Sequence, residues 1–191
     1  VKILVALDNV DFEKAFKLYV ELAPHVDGFK INHTLFDRVN MFSKYDGEIF
    51  VDCKVELPLN TGIFGGNRAF PNKLAVTYLT SWSENEQVEI TRESKSDMWR
   101  RHIKRIRKFN FSGIVCSAKD IEDIDEIDKV LLRVCPGITF RSSNSGQVRT
   151  TSPRWAEELG ADYAIIGRSI TKANKPLETL KMIKSTLRNI G

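Results

Sequence analysis

The sequence predicts an α/β fold, specifically a (β/α)8 TIM barrel, and three observations support this prediction. Short runs of uninterrupted apolar residues alternate with segments of helical spacing along the chain. Such runs are typical of strands covered on both faces, as in a parallel sheet. Polar or charged residues follow most of the runs, which is where a parallel barrel carries its functional side chains. We therefore expect one barrel domain over residues 1–191.

The elements follow one another in a regular order. Strands are predicted at residues 2–8, 28–31, 48–53, 73–79, 113–117, 131–135 and 162–167. Helices are predicted at residues 11–22, 34–43, 94–109, 121–130, 153–159 and 176–187, and the first of them has Asp11 as a plausible N-cap. Strands alternating with helices indicate parallel pairing.

One region of the barrel is missing from this pattern. A complete barrel has eight strands in typically about 250 residues, whereas only seven strands are predicted here. The shortfall lies after the third strand, in a shortened segment around residues 57–72 that holds only a stub at residues 62–66. One βα region was either deleted in evolution or omitted from the sequence as it stands. We favour omission, because losing a central strand exposes unpaired edges.

Composition narrows the classes of function. The chain is 42% apolar and 28% charged with a net charge of +4, which suits an anionic small ligand. Its apolar runs are too short to cross a bilayer, and its start lacks a signal pattern, so we expect a cytoplasmic protein with no membrane partner. The cysteines Cys53, Cys116 and Cys135 lie in or beside strand-like runs without C-x-x-C spacing. They predict small buried hydrophobes and no disulfide framework or zinc site.

A basic run at residues 99–109 raises the question of a nucleic-acid partner. Trp99, Ile103, Ile106 and Phe109 fall on one helical stripe, and the cations lie on the other side. An outer barrel helix with a solvated face explains this pattern, and no interleaved aromatic residues are available for stacking on bases. We therefore expect no nucleic-acid partner.

The candidate site consists of polar residues at the ends of predicted strands. Two lysines and two aspartates follow three successive strands, and such a cluster stays ionised only if its members face one another. Asp52 and Lys54 are the sharpest pair, because residues two apart in a strand point to the same side. The full set of candidates is Asp8, Lys30, Asp52, Lys54, Thr80, Ser81, Ser117, Gln147 and Arg168.

A second candidate feature lies in the C-terminal half. Pro136-Gly137-Ile138 ends one strand, the polar loop of residues 141–149 follows, and the last strand ends in Gly167-Arg168. A glycine there lets backbone N–H groups approach an anion closely, and the arginine adds bidentate donors. The loops after the last two strands are where phosphate sites recur in this fold. The pattern predicts binding of the monophosphate group of a small metabolite.

Together these motifs resemble the orotidine 5′-monophosphate decarboxylase family. Each matching piece is weak alone, but the pieces occur in the family's order along nearly the whole chain. They are Leu4–Asp8, Lys30–Phe36, Asp52–Lys54 with Asn60–Thr61, Val76–Ser81, Gly113–Ala118, Pro136–Ile138, Gln147–Arg149 and Ile166–Ile170.

The resemblance implies a decarboxylase of pyrimidine biosynthesis that uses neither cofactor nor metal. Such enzymes convert orotidine 5′-monophosphate to uridine 5′-monophosphate, as homodimers with sites at the subunit interface. The implied catalytic residues are Lys54 as proton donor, Asp52 against the departing carboxylate, and Lys30 holding Asp52 and a ribose hydroxyl. The implied substrate-binding residues are Asp8 at the ribose, Ser81 at the pyrimidine, Gln147, Gly167 and Arg168 at the phosphate, and also Thr61 and Pro136.

The chain also departs from the family pattern. In the usual D-x-K-x-x-D motif, the last acid is replaced by Leu57; Gly146 stands where aspartate is common, and Asn32 stands where glycine is frequent. The residues implied to bind the phosphate are all present, whereas the implied catalytic residues lack one carboxylate. This difference predicts impaired turnover. Two alternatives stay open: a metal-using sugar-phosphate decarboxylase or synthase of the same superfamily, and a non-catalytic barrel that binds nucleotide phosphates.

Overall fold

A computed structural model describes residues 1–8, 10–52, 61–65, 72–77, 83–140 and 150–188. Eight strands form a closed barrel in which each strand pairs with its neighbours in sequence order and the last pairs with the first. They are β1 (Lys2–Ala6), β2 (Gly28–Asn32), β3 (Glu48–Asp52), β4 (Thr61–Gly65), β5 (Asn72–Val76), β6 (Gly113–Val115), β7 (Leu132–Ile138) and β8 (Tyr163–Ile166). The predicted barrel fold is confirmed.

The shortened segment contributes one strand that runs against the others. β4 is antiparallel to both β3 and β5, whereas all other neighbours pair in parallel. Parallel neighbours need a crossover of a dozen or more residues, but only residues 53–60 and 66–71 flank β4. The described part of the predicted stub therefore belongs to a reversed strand, Thr61–Gly65. It pairs on both sides, so the missing βα region leaves no open edge between β3 and β5.

The helices lie around the barrel and follow the predicted order with some differences. The predicted helix at residues 34–43 is a 3-10 segment, His33–Phe42, and the one at residues 121–130 ends early. The helices are α1 (Phe12–Leu22), α2 (Glu84–Thr91), α3 (Lys95–Lys108), α4 (Ile121–Asp125), α5 (Pro153–Glu158), α6 (Arg168–Thr171) and α7 (Pro176–Thr186). Two of them, α2 and α6, were not predicted from periodicity.

The helices outside the barrel bury some of their apolar side chains and leave others exposed. Asp11 caps α1 as predicted, because its side chain accepts a hydrogen bond of 2.8 Å from the Lys14 backbone N–H. On this helix, Phe12 and Phe16 stay partly exposed although they belong to its apolar face. On α3, the side chains of Met98, Trp99, Ile103 and Ile106 are buried. In the described part of the chain, no helix is both long and apolar enough to span a bilayer.

The strands divide the apolar residues into two layers, because successive side chains alternate between the two faces of the sheet. One layer fills the barrel interior, and the other lies between the sheet and the helices. The interior layer is Leu4, Ala6, Phe50, Leu74, Val115, Val134, Tyr163 and Ile165. The outer layer includes Ile3, Val5, Leu7, Ile31, Ile114, Ala164 and Ile166. Cys116 and Cys135 are also buried there as free thiols, as predicted, whereas Cys53 lies outside the described residues.

The N-terminal end of the barrel is closed by a polar contact that we call the floor: Lys2, Glu48 and Tyr163. Glu48 Oε1 lies 2.7 Å from Lys2 Nζ and accepts a hydrogen bond of 3.0 Å from the Tyr163 hydroxyl. Burial and the neighbouring Glu48 raise the pKa of Tyr163. Beside the floor, a side chain at Gly28 would collide with the Glu48 carbonyl, so this position requires glycine. The floor links β1, β3 and β8 at the end opposite the candidate site.

Candidate functional site

Three of the predicted site residues form one ion-paired row at the C-terminal ends of β1, β2 and β3. Lys30 Nζ lies 2.8 Å from Asp52 Oδ2 and also donates a hydrogen bond to Asp8 Oδ2. The Lys30 side chain is only 9% exposed. We call these residues the acid–lysine row. Burying an ammonium group is costly unless carboxylate partners replace the water that it loses.

The strand register explains why these residues meet. Lys30 pairs with Ala6, two residues before Asp8, and Asp52 is the last residue of β3. Ile31 points into the layer between sheet and helices, so Lys30 points into the barrel. The backbone continues the pairing beyond β1, where the Leu7 N–H donates to the Lys30 carbonyl at 2.9 Å. The row follows directly from residue spacing along three adjacent strands.

The row carries one ammonium group and two carboxylates, and its charge is therefore unbalanced. Among the described residues, Asp8 Oδ1 is buried and has no hydrogen-bond partner. A buried carboxylate oxygen without a donor is costly, on the order of 1–3 kcal/mol. A ligand hydroxyl or N–H group placed here would satisfy it. The geometry at Asp8 thus suits a ligand that donates hydrogen bonds.

The ends of β7 and β8 form the second part of the site. Gly137 adopts a φ of 78°, which favours glycine, and β7 has a register irregularity between Cys135 and Ile138. Beyond it, Phe140 N–H donates to Ser169 Oγ at 3.1 Å, which joins the β7 end to the start of α6. Pro136 lies in the irregular part of β7, and Arg168 is the exposed first residue of α6.

The two parts of the site lie at the same end of the barrel. Ile166 pairs with Val5, so Gly167 comes next to Ala6 of β1, and a side-chain carbon added at Gly167 would lie 3.7 Å from Ala6 Cβ. Packing alone therefore admits a methyl group at Gly167. On the other side, Gly62 pairs with Val51, which puts the Thr61 backbone beside the end of β3 that carries Asp52. The structure thus gathers six of the predicted residues on one rim: Asp8, Lys30, Asp52, Thr61, Gly167 and Arg168.

The remaining predicted residues are not among the six that the structure shows at this rim. Lys54, Ser81, Gln147 and the candidate Thr80 lie outside the residues that the structure describes, as do Leu57 and Gly146. Ser117 is described, but it caps a 3-10 turn, and its Oγ accepts a hydrogen bond of 3.3 Å from the Lys119 N–H. Over the described ranges, no group of three or more His, Cys, Asp or Glu side chains is arranged to hold a metal.

Asn32 lies at the same rim, although the sequence marks it only as a departure from the family pattern. It is 2% exposed, and its Cα pairs with that of Asp52. The signal was available, because Asn32 lies two residues after Lys30 in the same strand and therefore shares its face.

Comparisons with known proteins agree on one family. Residues 63–183 match the family model described as orotidine 5′-phosphate decarboxylase / HUMPS family. The chain is 31% identical to the orotidine 5′-phosphate decarboxylase of Syntrophomonas wolfei over 229 residues, covering 95% of this chain and 96% of that protein. It is 28% identical to that of Buchnera aphidicola over 228 residues, covering 98% and 96%. Both alignments are longer than this 191-residue chain, so the relatives contain residues without a counterpart here.

The fold also matches a solved structure. The crystal structure of orotidine 5′-phosphate decarboxylase from Lactobacillus acidophilus superposes with a TM-score of 0.72 at 22% identity, covering 98% of this chain and 99% of that chain. At this level of identity the superposition supports the barrel fold alone.

Proposed function

Given that this chain belongs to the orotidine 5′-phosphate decarboxylase / HUMPS family, we propose that it converts orotidine 5′-monophosphate to uridine 5′-monophosphate. The observation that carries this proposal is the acid–lysine row, in which buried Lys30 pairs with both Asp8 and Asp52 at the barrel rim. The same rim carries Gly167 and Arg168, which suit a phosphate group.

The proposed reaction breaks one carbon–carbon bond and forms one carbon–hydrogen bond. Carbon dioxide leaves the pyrimidine ring, and the electron pair stays on the ring carbon. The Lys54 ammonium then gives its proton to that carbon. An ammonium group beside a developing carbanion stabilises it electrostatically, and a preorganised donor of this kind contributes on the order of 10²–10³ in rate.

Asp52 and Lys30 prepare this step in the proposal. Asp52 faces the substrate carboxylate, whose negative charge moves away as carbon dioxide forms. Lys30 Nζ, 2.8 Å from Asp52 Oδ2, holds that carboxylate in its orientation. Asp8, with its unpartnered Oδ1, accepts a hydrogen bond from a ribose hydroxyl.

The remote phosphate supplies binding energy in the proposed mechanism. Gly167, Arg168 and Gln147 would hold the phosphate, while Ser81, Thr61 and Pro136 line the nucleoside. Binding energy from a non-reacting group can be used to hold the reacting ring in place. This division separates affinity, which depends on the phosphate group, from chemistry at Asp52 and Lys54.

The direct test is to follow loss of the orotate absorbance when orotidine 5′-monophosphate is added to the purified chain, with and without EDTA. EDTA-insensitive loss of absorbance supports the proposal. Activity only on a sugar phosphate with added magnesium would favour the sugar-phosphate branch of the family instead. Tight binding of uridine 5′-monophosphate without any turnover would identify a non-catalytic nucleotide-binding barrel.

The proposal also covers position 57, where Leu57 replaces the last acid of the usual motif. We infer that turnover is impaired because one carboxylate of the usual motif is absent. Leu57→Asp should raise kcat, and Leu57→Asn, of similar size without the charge, should not. Equal kcat in all three proteins would show that position 57 does not limit the reaction.

We also infer a homodimer with sites at the subunit interface, on the basis of the family resemblance. Light scattering on the purified chain tests this directly. A dimer mass that persists at nanomolar concentration is the expected result, and a monomer at micromolar concentration would contradict it.

A further inference from the structure

Asn32 is a buried polar residue beside the reacting end of the site. It ends β2, is 2% exposed, and its Cα pairs with that of Asp52 in β3. It lies two residues after Lys30, so it is on the inward face of the strand, while Ile31 between them is fully buried in the outer layer. The register thus puts the Asn32 side chain on the same face of the sheet as Asp52, on the neighbouring strand.

The orientation of this amide is fixed by its neighbour Thr34. Asn32 Oδ1 accepts hydrogen bonds from the Thr34 N–H at 3.2 Å and from the Thr34 hydroxyl at 2.7 Å. A backbone N–H can only donate, so the amide oxygen must face Thr34 and the amide nitrogen must face away from it. Within the described residues, the Asn32 side chain makes no other hydrogen bond, and both N–H donors of its nitrogen stay available.

A neutral hydrogen-bond donor at position 32 can bind a carboxylate that Asp52 repels. A substrate carboxylate placed against Asp52 meets a like charge, and Asp52 Oδ2 is already occupied by Lys30. An amide N–H can bind a carboxylate oxygen without neutralising Asp52. The Asn32 amide therefore helps to hold the substrate carboxylate in place. It leaves the repulsion from Asp52 intact, and this repulsion is relieved when the carboxylate departs as carbon dioxide.

We propose that Asn32 donates a hydrogen bond to the substrate carboxylate and is a specificity residue for the carboxylate-bearing nucleotide over its product. This inference rests on the proposed function, because it assumes that Asp52 faces that carboxylate. Orotidine and uridine 5′-monophosphate share ribose and phosphate and differ at this carboxylate. Asn32 should therefore contribute to the affinity for orotidine 5′-monophosphate and not to the affinity for uridine 5′-monophosphate.

The experiment measures the dissociation constants of both nucleotides by calorimetry in the Lys54→Ala background, where turnover of orotidine 5′-monophosphate should be slower by about 10³-fold or more. Adding Asn32→Ala should weaken orotidine 5′-monophosphate binding about tenfold, the effect of one lost hydrogen bond to a charged group. Uridine 5′-monophosphate binding should change less than twofold. Asn32→Asp keeps the oxygen that faces Thr34 but loses the donor, so it should weaken orotidine 5′-monophosphate binding at least as much.

The outcomes separate this inference from the proposed function. Equal weakening of both nucleotides, or of neither, would overturn the role of Asn32. If the unmodified chain shows no turnover but Asn32→Ala still selectively weakens orotidine 5′-monophosphate binding, the proposed function fails and the Asn32 contact stands. If the unmodified chain does not bind orotidine 5′-monophosphate, both are wrong.

Discussion

At the scale of single residues, Lys30 determines the balance of charge in the candidate site. Its ammonium group lies between two carboxylates, Asp8 and Asp52, that would otherwise repel each other at the same rim. Burying an ammonium group costs several kcal/mol unless partners replace its water. The two aspartates offset this cost and leave the row with an excess negative charge, which favours a second cation nearby. In the proposed mechanism, Lys54, two residues after Asp52 in the sequence, supplies that cation.

Arg168 and Lys54 should affect different kinetic parameters. Arg168→Ala removes bidentate donors from the proposed phosphate site, so the dissociation constant of uridine 5′-monophosphate should rise about 30–100-fold. Lys54→Ala removes the proposed proton donor, so kcat should fall by about 10³-fold or more with a smaller change in affinity. Steady-state kinetics and calorimetry on both variants measure these effects.

Lys172→Ala is the matched control for Arg168, because it removes an exposed cation just after the same helix α6. It should leave both affinity and turnover unchanged. If Arg168→Ala and Lys54→Ala instead change affinity and turnover by the same factors, the two residues do not have separate roles.

His102 makes stability depend on pH. Partial burial of its side chain on α3, together with the nearby Arg101 and Arg105, lowers its pKa to about 4 from the ordinary 6.5. Between these values the unfolded chain binds the proton and the folded chain does not, so stability falls as pH decreases from about 6.5 to about 4. His102→Gln does not titrate, so its melting temperature should fall less over this window. Thermal scans from pH 8 to pH 4.5 test this, and parallel curves over the whole range would contradict it.

At the scale of elements, apolar patterning predicted the strands well because parallel strands are buried on both faces. β1, β2, β3 and β8 were expected within a few residues of their observed bounds. The direction of β4 was not predicted, because residues 62–66 were predicted as a stub and not as a strand; the short flanking segments 53–60 and 66–71 were the available signal for antiparallel pairing. Helix α2 was missed because its apolar residues lack helical periodicity, and it begins instead at a capping box formed by Ser83 and Glu86.

The candidate site was predictable to the extent that it depends on spacing. Asp8, Lys30 and Asp52 end neighbouring strands, so their meeting follows from the fold. The side-chain orientation of Asn32 could not be predicted, because it depends on local hydrogen bonds with Thr34. Ser117 shows the opposite case, since a polar residue at a strand end serves as a helix cap.

The N-cap of α3 should contribute measurably to stability. Ser94 Oγ accepts a hydrogen bond of 3.2 Å from the Asp97 N–H at the start of a helix that buries Trp99 and Ile103 against the barrel. Ser94→Ala should lower the free energy of unfolding by about 1 kcal/mol, measured by urea denaturation. Ser94→Thr should retain most of the stability, and Ser96→Ala, two residues further on and exposed, is the control. A loss as large in Ser96→Ala would mean that capping is not the cause.

At the scale of the whole molecule, the two ends of the barrel hold different polar clusters. The floor of Lys2, Glu48 and Tyr163 links three strands at the N-terminal end. The acid–lysine row lies at the opposite end, with the loops that follow the strands. In this fold, the C-terminal end carries activity and the N-terminal end carries stability.

This separation predicts that replacing the two acidic residues of β3 has different effects. Replacing Glu48 should mainly lower stability, and replacing Asp52 should mainly lower turnover. Glu48→Ala removes the shared partner of Lys2 and Tyr163, and its free energy of unfolding should fall by about 2 kcal/mol. Uridine 5′-monophosphate affinity and turnover should stay within twofold, since the floor lies far from the rim. Asp52→Asn should abolish most turnover but lower the free energy of unfolding less than Glu48→Ala does, because Asp8 remains as counter-ion to Lys30. Urea denaturation, calorimetry and turnover on both variants test the pair. A loss of nucleotide affinity in Glu48→Ala at temperatures where it is fully folded would show that the two ends of the barrel are coupled.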